Sequence, residues 1–175
     1  MYLDNYQLPI KKETLSLIIL FLFSVLLRIP VILLYGDTSL ENEWGVIFNN
    51  LIQHGKFEFH YHSQNLSESY PSIFMPPFYV YYLYFFSIFN LNEQNYLILI
   101  LFSQIFLSSI SVILFYKINK IFFSKKISFY SSFLFSLFPL HLYACSQISS
   151  ITVQIFFTIL FFYFFFKLIE KKILN

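Results

Sequence analysis

The sequence predicts an all-α integral membrane protein, with four transmembrane helices and an external segment that carries two interfacial helices. Only 11% of its 175 residues are Asp, Glu, Lys or Arg, against about 25% in an average globular protein, so a soluble fold could not cover its surface with charges. These charges leave three long uncharged stretches, the longest being the 40 residues between Lys126 and Lys167. The third observation is that lysines cluster at the ends of those stretches.

Composition excludes several other classes of protein. The 26 phenylalanines are incompatible with intrinsic disorder, and a single cysteine, Cys145, rules out a disulfide scaffold. The net charge of +2 is too small to indicate a nucleic-acid partner. The expected partner is therefore the lipid bilayer.

Each transmembrane helix needs about 20 apolar residues to cross a hydrocarbon core about 30 Å thick. Helices are expected because, within lipid, each segment must satisfy its own backbone hydrogen bonds. The 40-residue stretch is long enough for two helices, joined by a tight turn at the polar run 146–150. The predicted transmembrane helices are 15–35, 96–116, 127–147 and 148–167.

Lysine positions predict which side of the membrane each connection occupies. An N-terminus at 1–14, a loop at 117–126 and a tail at 168–175 on the cytoplasmic side, together with Lys167 at the cytoplasmic end of the fourth span, place nine of the eleven basic residues there, as the positive-inside bias requires. The apolar stretch 77–90 reaches only about 21 Å, and a crossing there would move the lysines of 117–126 outside. We therefore expect residues 36–95 to be external, with 77–90 as an interfacial helix whose tyrosines favour the membrane boundary.

A second interfacial helix is predicted in the external segment, at 39–54. Thr38 and Glu41 fit a capping box, and Gly55 supplies a helix stop. One face carries apolar residues at helical spacing, namely Trp44, Ile47, Phe48, Leu51 and Ile52. Such a face is typical of an amphipathic helix on the outer leaflet. The simplest role of Glu41 is then the cap, and that of Glu43 is a favourable interaction with the helix N-terminus.

Two groups of charged or titratable residues need a separate explanation. Arg28 lies about 4–5 Å from the middle of the first predicted span, where a charge costs about 2.5–3.5 kcal/mol unless it faces protein or water. Its side chain could reach the outer boundary, or its guanidinium could bind a phosphate there. His60 and His62 flank Tyr61 near Glu58 and could hold a divalent metal, but without a third fixed ligand a solvated loop is the simpler interpretation.

Several short motifs occur in an order that resembles one family. In chain order they are Arg-Ile-Pro at 28–30, the acidic segment ENEWGVIFNNL at 41–51, Gly55, Phe57, FMPPFY at 74–79, FPLH at 138–141 and SSIT at 149–152. Together they resemble the N-terminal part of the GT-C superfamily of integral-membrane glycosyltransferases. The protein O-mannosyltransferase and lipid A aminoarabinose transferase branches are the most similar.

This resemblance implies a function. Members of the family transfer a sugar from a polyprenyl-phosphate donor to an acceptor outside the cytoplasmic leaflet, and an acid on the first external helix is their catalytic or acceptor-activating group. By the resemblance that role falls on Glu43 or Glu41, with Arg28 and Asp37 as the candidate substrate-binding residues. The implied location is a bacterial plasma membrane with both termini in the cytoplasm, and no cofactor is implied beyond an optional divalent metal.

The chain departs from the family pattern in two respects. Where the family often carries a second acid after the third span, this chain has Ile151. Family members also have many more spans, so we expect the chain to be a fragment whose activity depends on the remaining spans or on another membrane subunit. The alternative hypothesis is a non-catalytic membrane protein that binds lipid or another membrane subunit.

Overall fold

The computed structural model describes residues 10–59 and 75–174. Within these two ranges the chain forms seven helices. They are α1 (Ile10–Tyr35), α2 (Glu43–His54), α3 (Pro77–Ser87), α4 (Glu93–Phe122), α5 (Lys125–Ser136), α6 (Pro139–Ala144) and α7 (Ile151–Leu174).

Three of these helices are long and apolar enough to cross a membrane. The segments concerned are Glu13–Tyr35 in α1, Glu93–Phe122 in α4 and Ile151–Lys172 in α7. They overlap the predicted spans 15–35, 96–116 and 148–167, and the shortest of them has 22 residues, against the roughly 20 that a crossing needs. The chain is therefore a helical membrane protein.

The other predicted span, 127–147, is not one helix. α5 ends at Ser136 and α6 begins at Pro139, after a break at Leu137 and Phe138. The nitrogen of Pro139 carries no hydrogen, and its ring favours the extended conformation that Phe138 adopts, with φ −61° and ψ 117°. α5 alone reaches only about 18 Å, which is too short to cross a membrane.

Contacts at both ends of α1 show how the helices run. Near its start, Glu13 pairs with Lys120 close to the end of α4, so α1 and α4 are antiparallel; we call this the lysine end. Just after α1, the N–H of Asp37 donates to the carbonyl of Ser146 at 3.0 Å, and we call this the cleft end. α5 starts at the lysine end, and α6 leads to Ser146 at the cleft end. The two helices α5 and α6, which we call the interrupted pair, therefore run from the lysine end to the cleft end.

α4 is the central helix of the bundle. Of the residues in its most apolar segment, 56% are buried, compared with 17% in the corresponding segment of α1 and 11% in that of α7. α5 packs on α4, and it buries Ser128, Ser132 and Ser136, small residues of the kind that favour close helix packing in membranes. The outer surfaces of α1 and α7 are apolar and exposed.

α2 begins later than predicted, at Glu43 instead of residue 39. Its N-cap is Asn42, whose side-chain oxygen accepts a hydrogen bond from the N–H of Gly45 at 3.0 Å. The predicted capping box of Thr38 and Glu41 is therefore wrong. Glu41 lies in the non-helical segment that leads to α2, so it has no capping role.

The apolar face of α2 packs against α3 and α4. The buried cluster includes Trp44, Ile47 and Phe48 of α2, Tyr79, Val80 and Leu83 of α3, and Tyr96, Leu97 and Ile100 of α4. These side chains contact protein where the sequence predicted contact with a leaflet. α3 is also shorter than the predicted 77–90: it ends at Ser87, and the chain then turns through Asn90, which has φ 50°.

Candidate active site

An open cleft of about 450 Å³ lies at the cleft end, where the chain leaving α1 meets the turn that precedes α7. The three acids predicted for the site, Asp37, Glu41 and Glu43, all line it. Its other lining residues are Ser39, Asn42, Trp44, Gln147, Ile148 and Ser149. We call it the acidic cleft. The structure thus brings together candidates that the sequence could only place in the same external segment.

Hydrogen bonds between the two walls hold the acidic cleft in shape. The carboxylate of Asp37 accepts from the N–H of Ile148 at 2.6 Å, and the side-chain amide of Asn42 donates to the carbonyl of Ile148 at 2.9 Å. The side-chain amide of Gln147 donates to the carbonyl of Tyr35 at 2.8 Å. Both backbone groups of Ile148 are therefore bonded to the segment between α1 and α2, which fixes the turn against that segment.

Glu41 and Glu43 differ from Asp37 in having free carboxylates. Both side chains are exposed, and neither forms an ion pair or hydrogen bond with any residue in the described ranges. A free carboxylate is able to accept a proton from a hydroxyl group, whereas the carboxylate of Asp37 is already engaged. The geometry therefore suits Glu41 and Glu43 to acid–base chemistry and Asp37 to positioning.

Aromatic side chains of α2 and α3 support the wall of the acidic cleft behind Trp44. The indole packs edge-on against Tyr79 with ring centroids 5.0 Å apart, and Tyr79 stacks on Tyr82 at 5.5 Å. Burial raises the pKa of Tyr79, and it raises the pKa of Tyr82 to about 12. Both phenols are therefore neutral at physiological pH, and they contribute packing and not a base.

Arg28 lies apart from the acidic cleft, sealed between α1, α4 and α6 with no exposed surface. Its Nε donates to the hydroxyl of Ser108 at 2.7 Å, and its Nη1 donates to the carbonyl and the hydroxyl of Ser24 at 2.9 and 2.5 Å. Its Nη2 lies 3.2 Å from Nδ1 of His141. The side chain does not reach the boundary, and its predicted binding of a phosphate stays a prediction.

His141 completes this buried network. Its Nδ1 accepts from Arg28, so its Nε2 carries the proton and donates to the hydroxyl of Ser108 at 2.9 Å. No carboxylate in 10–59 or 75–174 forms a salt bridge with the guanidinium. The guanidinium of Arg28 therefore links α1, α4 and α6, and all of its hydrogen-bond partners are neutral groups. No pattern in the sequence predicts this network, because Arg28 and His141 are 113 residues apart.

The remaining positions singled out from the sequence are the two histidines named for a metal site and the position expected for a second acid. His60 and His62 lie outside the described residues. Within the part of the chain that the structure describes, no group of three or more His, Cys, Asp or Glu side chains is arranged to hold a metal ion. Ile151, at the position expected for a second acid, is the exposed first residue of α7. The sequence analysis did not identify Asn42 as the N-cap of α2, although Asn is one of the preferred N-cap residues.

The acidic cleft offers two free carboxylates, a third carboxylate that orders the opposite wall, and an indole. This combination is able to take a proton from a bound hydroxyl and to pack against an apolar or sugar-like surface. Comparison of the chain with protein-family models, with curated proteins and with solved structures finds no match.

Proposed function

We propose that the chain is the N-terminal module of a GT-C-type membrane glycosyltransferase, which transfers a sugar from a polyprenyl-phosphate donor to an acceptor on the external face. The observation that carries this proposal is the acidic cleft, with free carboxylates at one end of three apolar helices. A lipid-linked donor stays in the bilayer while its sugar is presented at such an end. The motifs quoted above add the resemblance to the family.

The proposed chemistry is a displacement at the anomeric carbon of the donor sugar. The acceptor oxygen forms a bond to that carbon, the bond from the carbon to the phosphate oxygen breaks, and polyprenyl phosphate leaves. Glu41 or Glu43 takes the proton from the acceptor hydroxyl as general base. Asp37 keeps the wall at Ile148 in place, so that the acceptor meets the donor in a fixed orientation.

We further propose that the lysine end faces the cytoplasm of a bacterium and that the cleft end faces outward. The interrupted pair α5–α6 is then a fourth, discontinuous crossing, since it connects the same two ends as α1 and α4. Broken helices of this kind are tolerated in membranes where protein surrounds the break; Leu137 and Phe138 at this break are exposed, so the proposal requires the remaining spans or another subunit to cover them. The clustering of lysines at one end supports this orientation.

Cysteine labelling in intact cells tests the orientation. With the single native cysteine removed as Cys145→Ser, we expect a membrane-impermeant maleimide to modify Glu93→Cys from outside. Lys126→Cys should react only after the cells are permeabilised. Both positions are exposed in the structure, so access depends on the side of the membrane and not on burial. Labelling of Lys126→Cys, but not Glu93→Cys, in sealed cells would overturn the proposed orientation.

Carboxylate substitutions test the proposed activity. In liposomes that hold this module together with the remaining spans or the other membrane subunit, and that are supplied with a polyprenyl-phosphate sugar and a hydroxyl acceptor, we expect Glu43→Gln or Glu41→Gln to lower the transfer rate about 100-fold or more, the usual contribution of a general base. Trp44, the sole tryptophan, lines the cleft, so its fluorescence reports donor binding separately. Donor binding should persist in these variants.

The matched control is Glu58→Gln, which removes an acid of the same segment that pairs with Lys56 and lies outside the acidic cleft. Its transfer rate and its Trp44 response should equal those of the unmodified protein. Unchanged transfer in Glu41→Gln, in Glu43→Gln and in the double variant would reject the acid assignment. Absence of any Trp44 response to the donor would reject donor binding in this cleft.

A non-catalytic membrane protein that binds lipid or another subunit is the second candidate function. The exposed apolar surfaces of α1 and α7, whose spans are only 17% and 11% buried, favour it because they leave wide surfaces for other helices or lipid to cover. This candidate is distinguished by the same liposome assay. It requires no transfer with any lipid-linked donor, together with co-purification of a larger membrane protein.

A further inference from the structure

We propose that the lysine end binds the phosphate group of an anionic phospholipid between α4 and α7. The residues concerned are Lys117 of α4 and Tyr163 and Lys167 of α7, and we call them the basic site. They lie at the end of the bundle opposite the acidic cleft. The argument therefore does not depend on the proposed glycosyltransferase activity.

Two ammonium groups from different helices converge on one aromatic ring. The Nζ of Lys117 lies 5.8 Å from the ring centroid of Tyr163, and the Nζ of Lys167 lies 5.6 Å from it. Both distances are within the roughly 6 Å over which a cation is attracted to an aromatic face. The two nitrogens are thus no farther apart than the sum of these distances, and the flexible lysine side chains allow both to reach one phosphate.

The positive charges of the basic site are not balanced by an acid. Neither ammonium group forms a salt bridge or hydrogen bond with any residue that the structure describes. Lys120, one turn further along α4, differs because it pairs with Glu13. Glu170 follows Lys167 by three positions and forms no ion pair with it. Two like charges held close together repel each other, so the basic site favours an anion that contacts both.

The basic site lies where α4 and α7 are in contact, and both of its lysines are accessible. Phe122 of α4 packs edge-on against Phe166 of α7, with ring centroids 5.0 Å apart. Lys117 and Lys167 are exposed. An ammonium group has three N–H donors, so contact with the ring leaves donors for phosphate oxygens. The helix contact therefore fixes the ring while the two ammonium groups remain open to a ligand.

The position of the basic site along the spanning segments indicates that the phosphate belongs to a lipid. Lys117 and Lys167 lie five residues before the ends of these segments at Phe122 and Lys172, about 7.5 Å by helical rise. Exposed apolar side chains flank the site, namely Phe122, Phe162 and Phe164. The acyl chains of a phospholipid contact such rings, whereas a soluble phosphate does not. Basic pockets between transmembrane helices are binding sites for anionic lipid headgroups.

Native mass spectrometry of the purified chain in non-ionic detergent tests the proposal, with phosphatidylglycerol and phosphatidylethanolamine of identical acyl chains as the probes. We expect the first phosphatidylglycerol to bind more tightly than the first phosphatidylethanolamine. Lys117→Gln and Lys167→Gln should each weaken its binding about tenfold, because each removes a hydrogen bond between charged groups. The matched control is Lys126→Gln, which removes an exposed lysine of the same end that lies outside the basic site. It should leave the affinity for phosphatidylglycerol unchanged.

Tyr163 is a positioning residue in this proposal, and two variants test that role. Tyr163→Phe keeps the ring, so it should bind phosphatidylglycerol like the unmodified chain. Tyr163→Leu removes the aromatic face that attracts the two ammonium groups, and we expect it to weaken the binding about threefold.

Three results would overturn the proposal. The first is an affinity for phosphatidylglycerol that is the same in the unmodified chain and in the Lys117→Gln, Lys167→Gln double variant, with circular dichroism showing both folded. The second is an equal loss of affinity in Lys126→Gln, which would show that the lysine end attracts anionic lipid only as a whole. The third is displacement of the bound phosphatidylglycerol by an equal concentration of inorganic phosphate, which would identify the ligand as a soluble anion.

Discussion

Replacement of Arg28 by Ala is expected to lower the free energy of unfolding in mixed micelles by about 3 kcal/mol. The change removes the hydrogen bonds that the guanidinium donates to Ser24 and Ser108 and its contact with His141, each bond to a charged group contributing about 1.5–3 kcal/mol. It also leaves a cavity where a fully buried side chain stood, which adds to the loss. The substitution also removes the cost of burying an unpaired charge, about 2.5–3.5 kcal/mol on insertion scales, and this gain offsets part of the lost stability.

Two further variants separate these contributions, with unfolding followed by circular dichroism. Arg28→Met refills the space without the charge, so it should lose less stability than Arg28→Ala. Ser24→Ala removes one partner of a guanidinium that keeps its others, and should cost about 1–2 kcal/mol. If Arg28→Ala and Arg28→Met are both as stable as the unmodified chain, the cost of burying the charge offsets all that the network contributes.

The Arg28 network also shows where sequence reasoning stops. Composition and charge spacing were sufficient to predict a helical membrane protein, because apolar length is a local property of the chain. The position of Arg28 within the first span was equally local. Its solvation by Ser108 and His141 was not predictable, because those partners come from two other helices and depend on how the helices pack.

The interrupted helix was recognisable in principle. Hydropathy treats Phe138 and Pro139 as apolar residues of one span, whereas backbone chemistry places a break before a proline that lacks an N–H. The three acids of the cleft were predicted residue by residue, and their convergence follows from the bonds that Asp37 makes to the turn at Ile148. The bond between the Asp37 carboxylate and the N–H of Ile148 joins residues 111 apart, which no periodicity in the sequence records.

The start of α2 was also predicted wrongly, at residue 39 instead of Glu43. The second large prediction concerns a glycine in the first turn of this helix. Replacement of Gly45 by Ala is expected to cost about 3 kcal/mol, at the upper end of the usual range for overpacking. A Cβ at Gly45 would lie 1.8 Å from the carbonyl oxygen of Leu40 and 2.8 Å from its side chain. Since the clash is with backbone, the segment before α2 must move, and it carries Glu41 and the cap Asn42.

Because Asn42 also bonds to Ile148, displacement of this segment should open the acidic cleft. Trp44 is only 9% exposed, so its fluorescence should shift to longer wavelength in Gly45→Ala as water reaches the indole. The matched control is Gly55→Ala at the other end of α2, where a Cβ meets nothing within 4 Å but φ is 67°. Its left-handed strain should cost about 1–2 kcal/mol and leave the Trp44 emission unchanged. Equal stability of the two variants, with the same Trp44 emission in both, would show that the approach of Gly45 to Leu40 does not shape the cleft.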